Sequence, residues 1–131
     1  MKIKNVRKME YFTAADGCKI TELFGIPTEG IHEGSVAFAI LPPGNKTEPH
    51  SHEFHEWYII TQGKGVLYGN EGTQDITAGD TIHMTQGGWH SIENTGTDDL
   101  ELYCFCTPAF TLTGTTMKDG SEAKESVKRE F

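Results

Sequence analysis

The chain has 131 residues, 15 glycines, 5 prolines, 36% hydrophobic residues and a formal net charge of −8. One domain of that length buries roughly two thirds of its unfolded surface, so neither a disulfide nor a metal is needed merely to stay folded. The composition excludes a fibrous or disordered chain.

The charge is unevenly spread. Residues 1–10 sum to +3, residues 111–131 to 0, and the stretch between them to −11, with no arginine from Arg7 to Arg129. Such a body lacks the cations that neutralise a row of phosphates, so nucleic acid is not an expected partner. An anionic lipid surface is not expected either. Sugar phosphates are demoted as ligands, because bidentate arginine is their usual grip.

Residues 1–18 form a basic arm with Lys2, Lys4, Arg7 and Lys8. No apolar run follows them, so no secretory leader is expected, and no stretch approaches the roughly 18 apolar residues of a membrane span. Beyond the arm, short apolar or alternating runs are broken by glycine-containing turns. The expected strands are Lys19–Phe24, Ser35–Leu41, Glu56–Thr61, Gly65–Tyr68, Gln74–Thr77, Thr81–Met84, His90–Asn94 and Leu100–Thr107. Turn signals such as Pro42-Pro43-Gly44, Gln62-Gly63-Lys64 and Ala78-Gly79-Asp80 separate them. Many short strands with no helical period before position 110 point to an all-β sandwich or barrel and exclude a parallel α/β sheet. The tail, residues 111–131, differs. Over Ser121–Phe131, Ala123, Val127 and Phe131 make a helical stripe, and Asp119 with Glu122 resembles a capping box. That pattern allows a short C-terminal helix; a frayed, charge-balanced tail is the alternative.

The three cysteines cannot all pair within one chain. Cys104 and Cys106 lie two apart on one strand face, too tightly linked for an ordinary disulfide. A reducing, cytoplasmic setting follows, with both thiols buried beside Leu100 and Leu102.

Five of the six histidines fall between residues 50 and 90. His50-Ser51-His52 has the two-residue period that turns both rings to one strand face. Glu56 follows, and His90 arrives on a separate segment opened by Gly87-Gly88. Three imidazoles and a carboxylate make an adequate set for one divalent transition metal, with positions left open for a ligand.

Gly44-x5-His50-x-His52-x3-Glu56-x6-Gly63 resembles the first cupin motif at every defined position. Gly79-x5-Thr85-x-Gly87-x2-His90-x3-Asn94 resembles the second, with Thr85 where the pattern has proline. The resemblance implies a jelly-roll double-stranded β-helix, a single domain spanning 1–131 with its barrel at about 35–110, and a metal inside one barrel end. It also implies His50, His52, Glu56 and His90 as the metal ligands. The metal itself is left open among iron, manganese, nickel, cobalt and zinc.

Tyr58, two residues after Glu56, shares its inward face and is a candidate proton handler, as is His55. Each has a plainer reading: Tyr58 as barrel filling, His55 as a solvent or subunit contact. His83 reads as a hydrogen-bonded histidine outside the ligand set. Phe38, Ile40, Leu67, Ile82, Leu102 and Phe105 read as wall or core. Trp57 and Ile59, on the face opposite Glu56, suggest a homodimer contact. The expected function is a small metal-dependent enzyme acting on a chelating small-molecule substrate. Dioxygenase-like chemistry is slightly favoured over isomerase, lyase or decarboxylase chemistry. The alternative is a non-catalytic module that binds a sugar or metabolite.

Overall fold

The computed structural model describes residues 1–131 and resolves the alternating runs into eleven strands. In chain order they are β1 (Phe12–Thr13), β2 (Lys19–Phe24), β3 (Ser35–Leu41), β4 (His50–His52), β5 (His55–Gln62) and β6 (Lys64–Gly69), then β7 (Gly72–Thr77), β8 (Thr81–Met84), β9 (His90–Asn94), β10 (Leu100–Thr107) and β11 (Thr115–Met117). A six-stranded sheet runs β1-β2-β3-β10-β5-β8, and a five-stranded sheet runs β11-β4-β9-β6-β7. From β3 to β10 the chain changes sheet at every step except the β6–β7 hairpin, which is the winding of a jelly roll. No helix is long and apolar enough to cross a membrane.

All eight expected strands form, some with ends extended by one or two residues. The additional β1, β4 and β11 are two or three residues long; of these only β4 is marked in the sequence, by the two-residue spacing of His50 and His52. β11 pairs with β4, so part of the expected tail belongs to the second sheet. The expected C-terminal helix is absent: residues 121–131 contain neither helix nor strand. Asp119 accepts hydrogen bonds from the backbone N–H of Ser121 at 2.8 Å and from its hydroxyl at 2.6 Å. It therefore closes a local turn instead of capping a helix.

Period-two alternation places the side chains. On β5, Glu56, Tyr58 and Ile60 are buried while Ile59 is exposed. Register then stacks the inward residues into layers. Cys106 lies between Ser35 and Glu56, Cys104 between Ala37 and Tyr58, and Leu102 between Ala39 and Ile60, with Leu100 beside Leu41. The barrel thus grades from a polar end to an apolar end, and the two alanines leave room between. Leu41, Ile60, Leu100 and Leu102 are at most 2% exposed, and burial of each contributes about 1.5–3 kcal/mol. Phe105, expected in the wall or core, is instead 39% exposed. It lies one residue out of phase with Cys104 and Cys106, on the outer face opposite Trp57.

Candidate metal centre

Two strands of one sheet and one of the other bring the four expected residues together. His50 and His90 are direct cross-strand partners on β4 and β9. His52 follows two residues along β4, and Glu56 faces them from β5 in the opposite sheet. One donor atom from each of His50, His52, Glu56 and His90 lies within 4.8 Å of the others, and all four residues are buried.

Each imidazole is oriented from behind. His50 Nδ1 lies 2.8 Å from the Glu48 carbonyl, and His90 Nδ1 lies 3.3 Å from that of Gly88. Carbonyls only accept, so both Nδ1 atoms carry the proton and both Nε2 atoms present bare lone pairs. His52 Nδ1 is 2.9 Å from Thr115 Oγ1, whose own hydroxyl donates to the Thr111 carbonyl at 3.0 Å. That oxygen is left to accept from His52, so His52 Nε2 is bare as well. Outward Nδ1–H bonds of this kind fix tautomer and ring orientation at metal sites.

The inward atoms lack comparable partners. Glu56 Oε1 is 3.1 Å from His90 Nε2 and 3.5 Å from His52 Nε2. Yet Glu56 Oε1 and His90 Nε2 are both buried without a hydrogen-bond partner. With the His90 proton on Nδ1, both atoms are acceptors, so the short contact sets two lone pairs against each other instead of forming a hydrogen bond. Buried polar atoms left this way are costly unless a cation satisfies them. Burial raises the pKa of Glu56, but His52 and His90 overcome it and hold the carboxyl well below the usual carboxylate range. Burial lowers the pKa of His90, but Glu56 overcomes it and the net shift is upward. Burial also pushes His50 down, aided by His90 and His52 and opposed by Asp16. A carboxylate held ionised beside three imidazoles suits a divalent transition metal of the imidazole-binding group.

Tyr58 lines the same cavity, is 4% exposed, and sets its ring edge-on to His90 at 5.7 Å between centroids. Burial, then the charge of Glu56, pushes its hydroxyl well above the ordinary phenol value. His55 is not part of this group. It points outward, with Nδ1 2.9 Å from His83 Nε2, and its ring packs near Trp57. The odd step from Glu56 on a regular strand puts it there. Cys106 Sγ lies 3.6 Å from Glu56 Oε2, and all three cysteines are free and buried.

Sequence reasoning missed several cavity residues. Asp16, from the expected arm, points Oδ2 at His50 Nε2 from 4.0 Å. Phe110 packs edge-on against His52 at 5.6 Å, and Thr115 orients that same ring. Glu125 and Arg129 also reach the cavity from the tail. None carries a local motif; each arrives only through the fold. The motif asparagine, Asn94, proves structural: its Nδ2 donates to the Leu41 and Asp98 carbonyls, both at 2.8 Å.

An antiparallel double-sheet barrel with a buried three-histidine, one-carboxylate cluster defines a metal-binding β-barrel class. The Cupin domain family model matches residues 37–106, more than half of the sequence, and the chain belongs to the cupin family. Over 77 residues it is 43% identical to the oxalate-binding protein of Thermotoga maritima, covering 56% of this chain and 64% of that one. The match therefore spans a little less than two thirds of that relative. Among solved structures, a predicted oxalate decarboxylase from Thermotoga maritima superposes with a TM-score of 0.63 at 33% identity, over 70% of this chain and 80% of that chain. A cupin 2 conserved barrel domain protein from Salinispora arenicola superposes with a TM-score of 0.70 at 19% identity, over 82% and 88% of the two chains.

Proposed function

We propose that this cupin holds one divalent transition metal through His50, His52, Glu56 and His90, and uses it to bind and convert a small chelating carboxylate of the oxalate class. The observation that carries the reading is the set of three outward-bonded Nδ1 atoms, which leaves three bare Nε2 atoms around an ionised Glu56. When bound, such a metal supplies Lewis acidity at positions open to a chelating oxygen pair. Asp16 and Tyr58 line the cavity beside the cluster and are the groups placed to orient the ligand or exchange a proton with it. The apolar walls exclude bulk water, which strengthens each of these contacts.

The relatives favour acid chemistry over the dioxygenase chemistry that the motifs alone slightly favoured. The second reading is non-catalytic binding, supported by the relative named for binding oxalate. A cytoplasmic protein is proposed in either case. A homodimer is proposed through the outer face of β5 and β10, where Ile59 and Phe105 are 41% and 39% exposed and Trp57 pairs with Phe105.

Calorimetry of the manganese-loaded protein with oxalate tests the proposal, with formate and carbon dioxide assayed alongside. Saturable binding that His90→Ala removes supports the metal reading, and turnover separates enzyme from binding module. Equal oxalate binding by the metal-free protein would overturn it.

A further inference from the structure

The cavity lined by His50, His52 and Glu56 of the metal-binding cluster is also lined by Glu22, Glu125 and Arg129, although the barrel strands themselves contain no arginine. Arg129 Nε and Nη2 donate to the two oxygens of Glu125 at 2.9 and 2.7 Å, a bidentate fork. Its Nη1 lies 3.4 Å from Glu22 Oε2, and the guanidinium stacks 4.7 Å over Phe12 and 4.6 Å over Phe131. Side-chain exposure is 17% for Arg129, 2% for Glu125 and 6% for Glu22.

Two features separate this group from an ordinary structural ion pair. First, its partners are mismatched: one cation faces two carboxylates, and Glu22 Oε2 is buried without a hydrogen bond. Burial pushes the Glu22 carboxyl up, against the pull of Arg129. Second, the fork pins little to the barrel. Glu125 and Arg129 are four residues apart in one segment, so their mutual grip travels with that segment. Apart from the contacts of Arg129 with Glu22 and Phe12 and the Phe110–Phe131 ring contact, the irregular stretch is tied down by three bonds: Ser126 N–H to the Thr13 carbonyl, Thr13 N–H to Ser126 Oγ, and Thr113 N–H to the Phe131 carbonyl. Segments with so few ties open at low cost.

With this strap in place the internal volume is about 60 Å³, room for about four to six waters. Glu125 and Arg129 line one wall of that cavity, and Glu125 is the strap residue whose chemistry an acid can replace. Exchanging one carboxylate for another preserves the fork geometry that selects planar anions.

We propose that Arg129 is a second ligand subsite, which takes a distal carboxylate of the acid chelated at the metal, and that Glu125 is its resident stand-in. The ligand class is then a diacid with an oxygen-chelating head, held in the cavity that the cluster and Arg129 both line. The head group rests on the function proposed above; the distal subsite rests on Arg129 alone.

The test is calorimetry on the full chain with malate, 2-hydroxyglutarate and 2-hydroxyadipate, each against the methyl-ended 2-hydroxy acid of the same chain length. The zinc-loaded protein should favour at least one diacid by about tenfold or more, the scale of a charge-assisted bidentate contact. Arg129→Ala and Arg129→Lys should abolish most of that preference, read in each variant as the ratio of diacid affinity to the affinity for the methyl-ended acid of the same length. Glu125→Gln, which weakens the competitor, should tighten diacid binding several-fold. Thermal melts and the lysine variant guard against a loss caused by misfolding. A preference that survives Arg129→Lys and Arg129→Ala, or its absence for every chain length, overturns the subsite. The same comparison in the metal-free protein separates the two readings. A diacid preference that persists there while oxalate fails to bind the loaded protein sinks the metal reading and leaves the subsite standing.

Discussion

The two ends of the barrel are built from the same strands with the same alternation, yet they hold opposite chemistry. At one end Leu41, Ile60, Leu100 and Leu102 close the space between the sheets, each at most 2% exposed. At the other, Glu56 and Cys106 from one sheet face His50, His52 and His90 from the other. Two alanine positions on β3 separate these ends, and the small side chains keep the polar end hollow. The contrast teaches a division of labour: dispersion and burial hold the apolar end, while the polar end has converging polar atoms that its own side chains leave unpaired.

The largest expected effect tests whether the ends are separable. Leu100→Ala should destabilise the protein by about 2–5 kcal/mol, the cost of a core cavity, while metal stoichiometry in the folded protein stays the same. Urea unfolding with parallel metal analysis measures both. Loss of the metal site along with the core would show that the ends are one cooperative unit.

A somewhat smaller effect comes from the cluster itself. Because its donors come from both sheets, a bound metal should staple them together. Metal at a hundredfold excess over its Kd should add about 3 kcal/mol of stability, and His52→Ala should lose that gain. Thermal melts with and without zinc read it directly; an equal gain in the variant would place the stabilising metal elsewhere.

The smallest effect lies between the two ends. Burial raises the pKa of Cys18 and Cys104 well above the ordinary thiol value, with Asp16 next for Cys18 and Glu56 next for Cys104. A raised thiol pKa means the neutral form at pH 8, and neutral buried thiols do not attack disulfide reagents. No thiol of the native protein should react within minutes, and all three should react after unfolding. A single fast native thiol would mean that the cavity floor opens to solvent.

Much of this was legible in the sequence. The strands with clear alternation were readable because each buries one face, and period-two patterning survives in any order of pairing. The cluster was readable because His50, His52 and Glu56 are local and their spacing is itself the geometry. What was not legible arrives by long-range closure. Thr115 orients His52 across 63 positions, and no local pattern marks it. Arg129 looked like one charge in a balanced tail, where the stripe of Ala123, Val127 and Phe131 suggested a helix. Glu125 and Arg129 do make an i,i+4 contact, but the Asp119 turn and the backbone ties of Ser126 and Phe131 hold the segment in an irregular strap. His55 was legible by phase alone, since an odd step from Glu56 turns it outward to meet His83.

The most direct test of the central claim is elemental analysis of protein produced with iron, manganese and zinc supplied, compared with the folded double variant His52→Ala, His90→Ala. The expected result is about one divalent ion per native chain and none in the variant. Native protein without metal, or a variant that retains it, would contradict the assignment of His50, His52, Glu56 and His90.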